Sequence, residues 1–201
     1  MNEKFKIKNK GLTRTAKQGG FTLIETLVAV LILTISLSAI LTLITSSIFY
    51  ARYAKNETIA TYLAQEAIDH IRNDRDTMAF QGGDWLGFLD DYGYTQQARC
   101  FSLEGCYLDA NQWGMSNKPK KCDANTGCDY FYYDESATGG TYYNYNKNKG
   151  VPSFFRRTIK MNTDSPANGI DELIVEVKIE WLNGGSPRSQ TLTTSLLKWQ
   201  Q

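Results

Sequence analysis

The sequence predicts an α+β fold: one long N-terminal helix, half transmembrane and half packed on an antiparallel β-sheet. Three observations carry that expectation. From Gln18 to Ala51 the only charged residue is Glu25. Between Gly20 and Gly82 there is neither glycine nor proline, the two residues that punctuate most chains. Residues 154–199 turn to the two-residue apolar/polar period of strands.

The helix opens behind a basic leader. Lys4, Lys6, Lys8, Lys10, Arg14 and Lys17 face only Glu3 within residues 1–20, a net +5, so a formal charge of +1 leaves the rest of the chain at −4. A mildly acidic body argues against general affinity for phosphate backbones, and no specific nucleic-acid partner is expected. Thr26–Ala51 is free of charge for 26 residues, about 39 Å as a helix against a hydrocarbon core of roughly 30 Å. Between Phe21 and Phe49, 17 residues are Leu, Ile, Val or Phe. Together they favour insertion by very roughly 5 to 10 kcal/mol, more than one carboxylate near the end of the span offsets. The preceding lysines orient the N-terminus to the cytoplasm and residues beyond about 50 to the outside. A secretory signal peptide would have a shorter apolar stretch with small residues after it; here the run is longer and Gly19 and Gly20 come first.

Beyond the apolar run the same helix becomes amphipathic. Ile59, Ala60, Leu63, Ala64, Ala67, Ile68 and Ile71 recur at three- and four-residue steps, with Gln65, Glu66, Asp69 and His70 between them. One helix from about Thr22 to about Asp74, roughly 80 Å long, is expected. His70 and the charged run 72–76 are read as solvated helix surface.

Residues 80–150 differ in kind. They hold ten glycines, all four cysteines and two tyrosine bursts, DYFYYD (129–134) and TYYNYN (141–146). No period survives for long, and irregular, disulfide-stapled loop structure with short strands is expected. Cys100, Cys106, Cys122 and Cys128 lie beyond the span, and an oxidising compartment implies two disulfides with three possible connectivities. The repeated C-x5-C spacing makes Cys100–Cys106 and Cys122–Cys128 the simplest pairing; a four-thiolate zinc site is the rival, though zinc favours tighter pairs.

FFRRTIKM (154–161) places Phe155, Ile159 and Met161 on one face together with Arg157. ELIVEVKIEWL (172–182) alternates more cleanly, with Leu173, Val175, Val177, Ile179 and Trp181 opposite Glu176, Lys178 and Glu180. Asn183-Gly184-Gly185-Ser186 signals a turn and TLTTSLLKW (191–199) a return strand. Three antiparallel strands with one apolar face result, and the stripe 59–71 is their natural cover.

Little in the chain suggests catalysis. His70 is the only histidine, which excludes a multi-histidine metal cluster within one chain, and no nucleophile–base pair stands out. Asp123, Asn125, Gly127 and Asp129 have the spacing of a calcium loop, but Asp134 stands where a bidentate Glu belongs. No enzyme activity, cofactor or metal is expected. The tyrosines have the chemistry to stack on sugars or bases, with loop packing or subunit contact as the other use.

GGFTLIETLVAVLIL (19–33) resembles the class III leader and N-terminal segment of type IV pilins and type II secretion pseudopilins: a short basic leader ending in Gly20, then Phe21, Thr22, Leu23, Ile24, Glu25 and an apolar run. The resemblance implies that a prepilin peptidase cuts between Gly20 and Phe21 and methylates the new N-terminal Phe21. It also implies that Glu25 pairs with the freed amine of a neighbouring subunit; a carboxylate within a span is costly enough to require such a partner. An acid in a first helical turn also meets the macrodipole favourably, whatever the family. TYLAQEAIDHIRNDRD (61–76) and VEVKIEWLNGG (175–185) look like the minor subunits, I-type pseudopilins or pilus modification-type minor pilins. The stretch 39–45 lacks the proline that kinks many major pilins, which suits a minor subunit.

On this resemblance the chain divides into a leader (1–20), a transmembrane and assembly half-helix (21–50) and an extracytoplasmic pilin-like head (51–201) containing the stapled region 80–150. The expected function is that of a minor structural subunit of a type IV pilus or type II secretion pseudopilus. The alternative is a pilus-tip binding module, adhesin or DNA-uptake pilin, using loops 80–150. Expected partners are prepilin peptidase, other pilin or pseudopilin subunits, the inner-membrane assembly platform and membrane lipid. The expected location is the bacterial inner membrane, single-pass with the head outside the cytoplasm, and then an extracytoplasmic filament.

Overall fold

The computed structural model describes residues 19–95, 98–109, 118–134, 142–148, 150–163 and 171–198. The chain falls into two units, residues 1–48 and 49–201.

Helix α1 (Leu23–Phe80) is unbroken for 58 residues. It outlasts the expected end near Asp74 because nothing after the apolar stripe breaks it. The stop comes at the first glycines: Gly82 takes φ +77°, its N–H donates to Ala79 O at 3.1 Å, and Gly83 N–H donates to Met78 O at 2.9 Å. This pair of bonds is the Schellman closure, and only a residue without a Cβ enters it without strain. Within the apolar half, the hydroxyls of Thr26, Thr34, Ser38 and Thr42 donate to carbonyls three residues back, and Ser36 to one four back, all at 2.8–2.9 Å. Each of these hydroxyls is thereby satisfied by its own helix, as a lipid surrounding would require.

In the head, α1 buries Ala60, Leu63, Ala64, Ala67, Ile68 and Ile71, with Ile59 half-buried. Three alanines on one face let neighbouring elements approach the helix closely. A short helix α2 (Trp85–Asp91) follows, capped by Asp84, whose carboxylate accepts from Gly87 N–H at 2.9 Å. Among the described residues, seven strands then form one sheet: β1 (Cys106–Tyr107), β2 (Lys120–Lys121), β3 (Tyr130–Asp134), β4 (Tyr142–Asn144), β5 (Val151–Thr163), β6 (Glu172–Asn183) and β7 (Ser186–Leu197).

β5–β6–β7 is an antiparallel meander with alternating burial. Phe155, Arg157, Ile159 and Met161 from β5 and Leu173, Val175, Val177, Ile179 and Trp181 from β6 are buried. The opposite face carries Arg156 directly across from Glu180, and Glu180 also meets Lys178 at 2.9 Å. Burial would raise the Glu180 carboxyl, but the Lys178 hydrogen bond and charge, joined by Arg156, hold it below its ordinary value. β7 starts five residues before the expected 191. The reason is the turn: Gly184 (φ +58°) and Gly185 (φ +85°) make a two-residue hairpin loop closed by Asn183 opposite Ser186. A loop with both central residues at positive φ keeps the strands twisted in step, so pairing begins at once.

The region expected to be irregular adds the remaining four strands. β1 and β3 both pair with the edge of β5 that β6 leaves free, Cys106 opposite Ile159 and Tyr130 opposite Arg156. The two tyrosine bursts are partners: Tyr133 lies opposite Tyr143 and Asp134 opposite Tyr142. Their rings join the core, with Phe131 4.5 Å from Tyr145 and Tyr143 5.6 Å from Phe155, centroid to centroid.

Candidate functional site

The N-terminal site begins where the backbone turns helical. Thr22 is the cap: its carbonyl accepts from Glu25 N–H at 3.0 Å and Thr26 N–H at 3.2 Å, and its hydroxyl oxygen lies 3.4 Å from Glu25 N. Glu25 is therefore the third helical residue, and Thr22-x-x-Glu25 is the capping-box spacing. That spacing is written in the sequence itself. It means the acid has a local helical role as well as any role toward another chain. Gly19, Gly20, Phe21 and Thr22 precede the helix and are exposed, and nothing lies within 4 Å of where a Cβ would stand on either glycine. The Gly20–Phe21 peptide is thus exposed among the described residues. From Leu23 to Phe49 the large apolar side chains are uncovered, and the helix is long and apolar enough to cross a membrane.

The cysteines form Cys100–Cys106 and Cys122–Cys128. The two bridges are neighbours: Cys106 in β1 lies opposite Lys121, Cys122 N–H donates to Gly105 O at 3.0 Å, and Cys128 Sγ is 3.9 Å from Cys106 O. A disulfide sulfur has no hydrogen, so in the 3.2 Å contact between Cys128 Sγ and Thr158 Oγ1 the hydroxyl donates. Each bridge closes a short local loop, and both lie against β5, through the Cys106–Ile159 pairing and the Thr158 hydroxyl.

That loop is not arranged around a shared cation. One oxygen of Asp123 accepts from Asn125 N–H and Thr126 N–H, both at 2.9 Å, and from the Thr126 hydroxyl. Those bonds, Thr126 N–H first, hold the Asp123 carboxyl below its ordinary value. Asp129 turns elsewhere, accepting from Tyr107 O–H at 2.8 Å with Lys147 3.9 Å away. Burial and then this bond push the Tyr107 phenol up to about 12. Among the described residues no group of three or more His, Cys, Asp or Glu is poised to hold a metal.

Two arrangements escaped the sequence reading. His70 is half-buried rather than solvated: its Nδ1 lies 3.2 Å from Asp74 Oδ2, which also accepts from Tyr92 O–H at 2.6 Å, so α2 is tied to α1 through one carboxylate. Burial, and then the Asp74 charge, push the Tyr92 phenol well above its ordinary value. The larger surprise is Arg157, wholly buried. Its guanidinium donates to Leu63 O at 2.8 Å, Glu66 Oε2 at 2.9 Å and Leu108 O at 2.6 Å, and lies 4.9 Å from the Phe131 ring centre. One side chain from β5 thereby holds α1, the 108 loop and β3 together. The available signal was a lone arginine on an apolar strand face, where a buried charge needs hydrogen-bond acceptors; here both terminal guanidinium nitrogens find them.

A family model, the prokaryotic N-terminal methylation motif, matches residues 15–41. No curated protein and no solved structure matches the chain. Pilin-type proteins are structural rather than enzymatic, and the motif implies processing by prepilin peptidase and assembly with other pilin subunits. With the apolar helix behind it, the motif also points to membrane anchoring. The chain carries the N-terminal methylation signature of the type IV pilins on a pilin-like α+β architecture, a long apolar helix followed by an antiparallel sheet.

Proposed function

We propose that the chain is a minor pilin-like subunit, cut after Gly20, methylated on Phe21 and assembled into a type IV pilus or type II secretion pseudopilus. The observation that carries the reading is the methylation motif over 15–41, set on a helix whose apolar side chains from Leu23 to Phe49 are uncovered. Residues 1–20 are the leader, 21–50 the span and assembly half of the helix, and 51–201 the extracytoplasmic head. In the bilayer, lipid covers the apolar half; in the filament, neighbouring helices do. Cleavage creates an amine on Phe21 four residues before Glu25. A carboxylate and an amine from two chains neutralise each other in an apolar setting and fix the axial register between them. The tip-binding alternative draws less support, because Phe131, Tyr133, Tyr143 and Tyr145 stack within the head.

Glu25→Leu tests the assembly role. The variant inserts and is processed normally but fails to enter filaments in sheared-fibre fractions; normal incorporation overturns the role given to Glu25. Gly20→Val tests the cleavage site. Its product keeps the leader and migrates as the larger precursor, whereas unchanged processing moves the cut elsewhere.

A further inference from the structure

The tip of the β6–β7 hairpin sits beside the first turns of α1 that follow the charge-free run. A Cβ on Gly184 would lie 3.5 Å from Phe49 Cε2, and the Arg188 guanidinium is 5.6 Å from the centre of the Tyr53 ring. Phe49 and Tyr50 stack edge to face at 5.9 Å, and both are substantially exposed. Arg52, Lys55 and Arg188 are exposed, and none makes an ion pair among the described residues; Glu57, one turn beyond Arg52, is the acid of this stretch. On the other face of the hairpin, Leu182 lies opposite Pro187 and both are exposed.

This is the composition of a membrane–water interface: aromatic rings at the edge of an apolar run, unpaired bases next to them and a small apolar tip. Its height agrees. The charge-free run ends at Ala51, and the six steps from Phe49 to Lys55 rise about 9 Å, close to the thickness of one headgroup layer, roughly 5–8 Å. Gly184 beside Phe49 and the Arg188 guanidinium over Tyr53 lie at the same depth.

We infer that the β6–β7 hairpin tip and the Phe49–Lys55 turns of α1 form a seat for the head on an anionic phospholipid surface, with Arg52, Lys55 and Arg188 meeting the headgroup phosphates. The inference rests on reading residues 21–50 as a membrane span. The seat restrains the head while the subunit is stored in the bilayer, and it is vacated when the span leaves. Neutralising each base weakens seating by about fivefold, and added salt weakens it further.

The test uses the full chain in bilayers of phosphatidylcholine with or without phosphatidylglycerol, spin-labelled through Ser186→Cys. All four native cysteines are paired, so the label has one target. A second sample carries the label through Leu41→Cys in the apolar half. With phosphatidylglycerol the 186 label resides at headgroup depth. In phosphatidylcholine alone, or with Arg52→Gln, Lys55→Gln and Arg188→Gln combined, its accessibility to a water-soluble relaxation agent rises severalfold. A 186 label equally water-accessible in both lipids, with the 41 label in hydrocarbon, overturns the seat and leaves the span intact. A 41 label outside the hydrocarbon overturns the span reading and the seat with it. Persistence of both disulfides in the triple variant certifies its fold.

Discussion

Leu31, Ile35 and Leu41 stand about 60% exposed, whereas Leu63, Ile68 and Ile71, further along the same helix, are at most 7% exposed. Both halves have the same backbone hydrogen bonds. They differ in what their side chains ask of their surroundings. Residues 27–49 are apolar around most of the circumference, with no polar face to give to water, which is how a helix built for lipid or for neighbouring helices reads. Residues 59–71 confine their apolar groups to one stripe and use alanine at three of its positions, so that packed neighbours can come close. Along one continuous helix, the change from one half to the other is made in side-chain pattern.

The comparison is most sharply tested at the buckle of the second half. Arg157→Leu strands Leu108 O in the interior and removes a donor from Leu63 O. Since Glu66 remains partly solvated, its loss of partner adds less than a fully buried charge would. The head of the full chain in detergent should lose about 2–4 kcal/mol in denaturant unfolding; an unchanged midpoint would show that the cluster contributes no net stability.

Next comes a matched pair of truncations. Ile71→Ala opens a cavity in a closed core and should cost about 2–4 kcal/mol of head stability. Ile40→Ala, the same chemical change in the uncovered half, should leave the head's unfolding midpoint where it was. Equal effects at both sites would break the contrast between the halves.

The disulfides bear on the head alone. Cys122→Ser with Cys128→Ser releases a short loop and should lower head stability by about 2 kcal/mol on the chain-entropy account, read as a lower thermal midpoint with the spectrum of α1 unchanged. Retention of the wild-type midpoint would mean the Asp123 turn holds the loop unaided.

The smallest expected effect concerns pH. Hydrogen bonds from the Thr95 hydroxyl and N–H to Asp90, and from Thr126 and Asn125 to Asp123, keep both carboxyls below their ordinary values in the folded head. A depressed carboxyl contributes stability at neutral pH that is lost as pH falls below about 4. The head's melting temperature should decline over that range, and Asp123→Asn should flatten the decline slightly. The same decline with and without the carboxylate would remove Asp123 from the account.

Much of this was legible in the primary structure because it depends on local pattern. The charge-free run, the stripe 59–71, the alternation of 172–182 and the Asn-Gly-Gly-Ser turn each state their conformation within a dozen residues. The end of α1 was misjudged only because an amphipathic stripe ends before a helix must; the stop lay in Gly82. Other features were not legible, because they concern choice of partner over long sequence distances. The repeated C-x5-C spacing made Cys100–Cys106 and Cys122–Cys128 the simplest of three connectivities, and these pairs form, but that they lie side by side against β5 was not written in it. The tyrosine bursts have no period of their own and become strands only because β5 offers a free edge.

By itself, the sequence determined which stretch is long and apolar enough to cross a membrane, where its helix begins, and which faces of helix and strands must be hidden, since hydrophobic patterning, capping and turn chemistry act over a few residues. Only the tertiary structure decided that Arg157 would sit at the centre of the head and that the hairpin tip would lie beside Phe49 and Tyr53. A buried charge is tolerable only when acceptors from distant segments converge on it, and no short stretch of sequence contains that convergence.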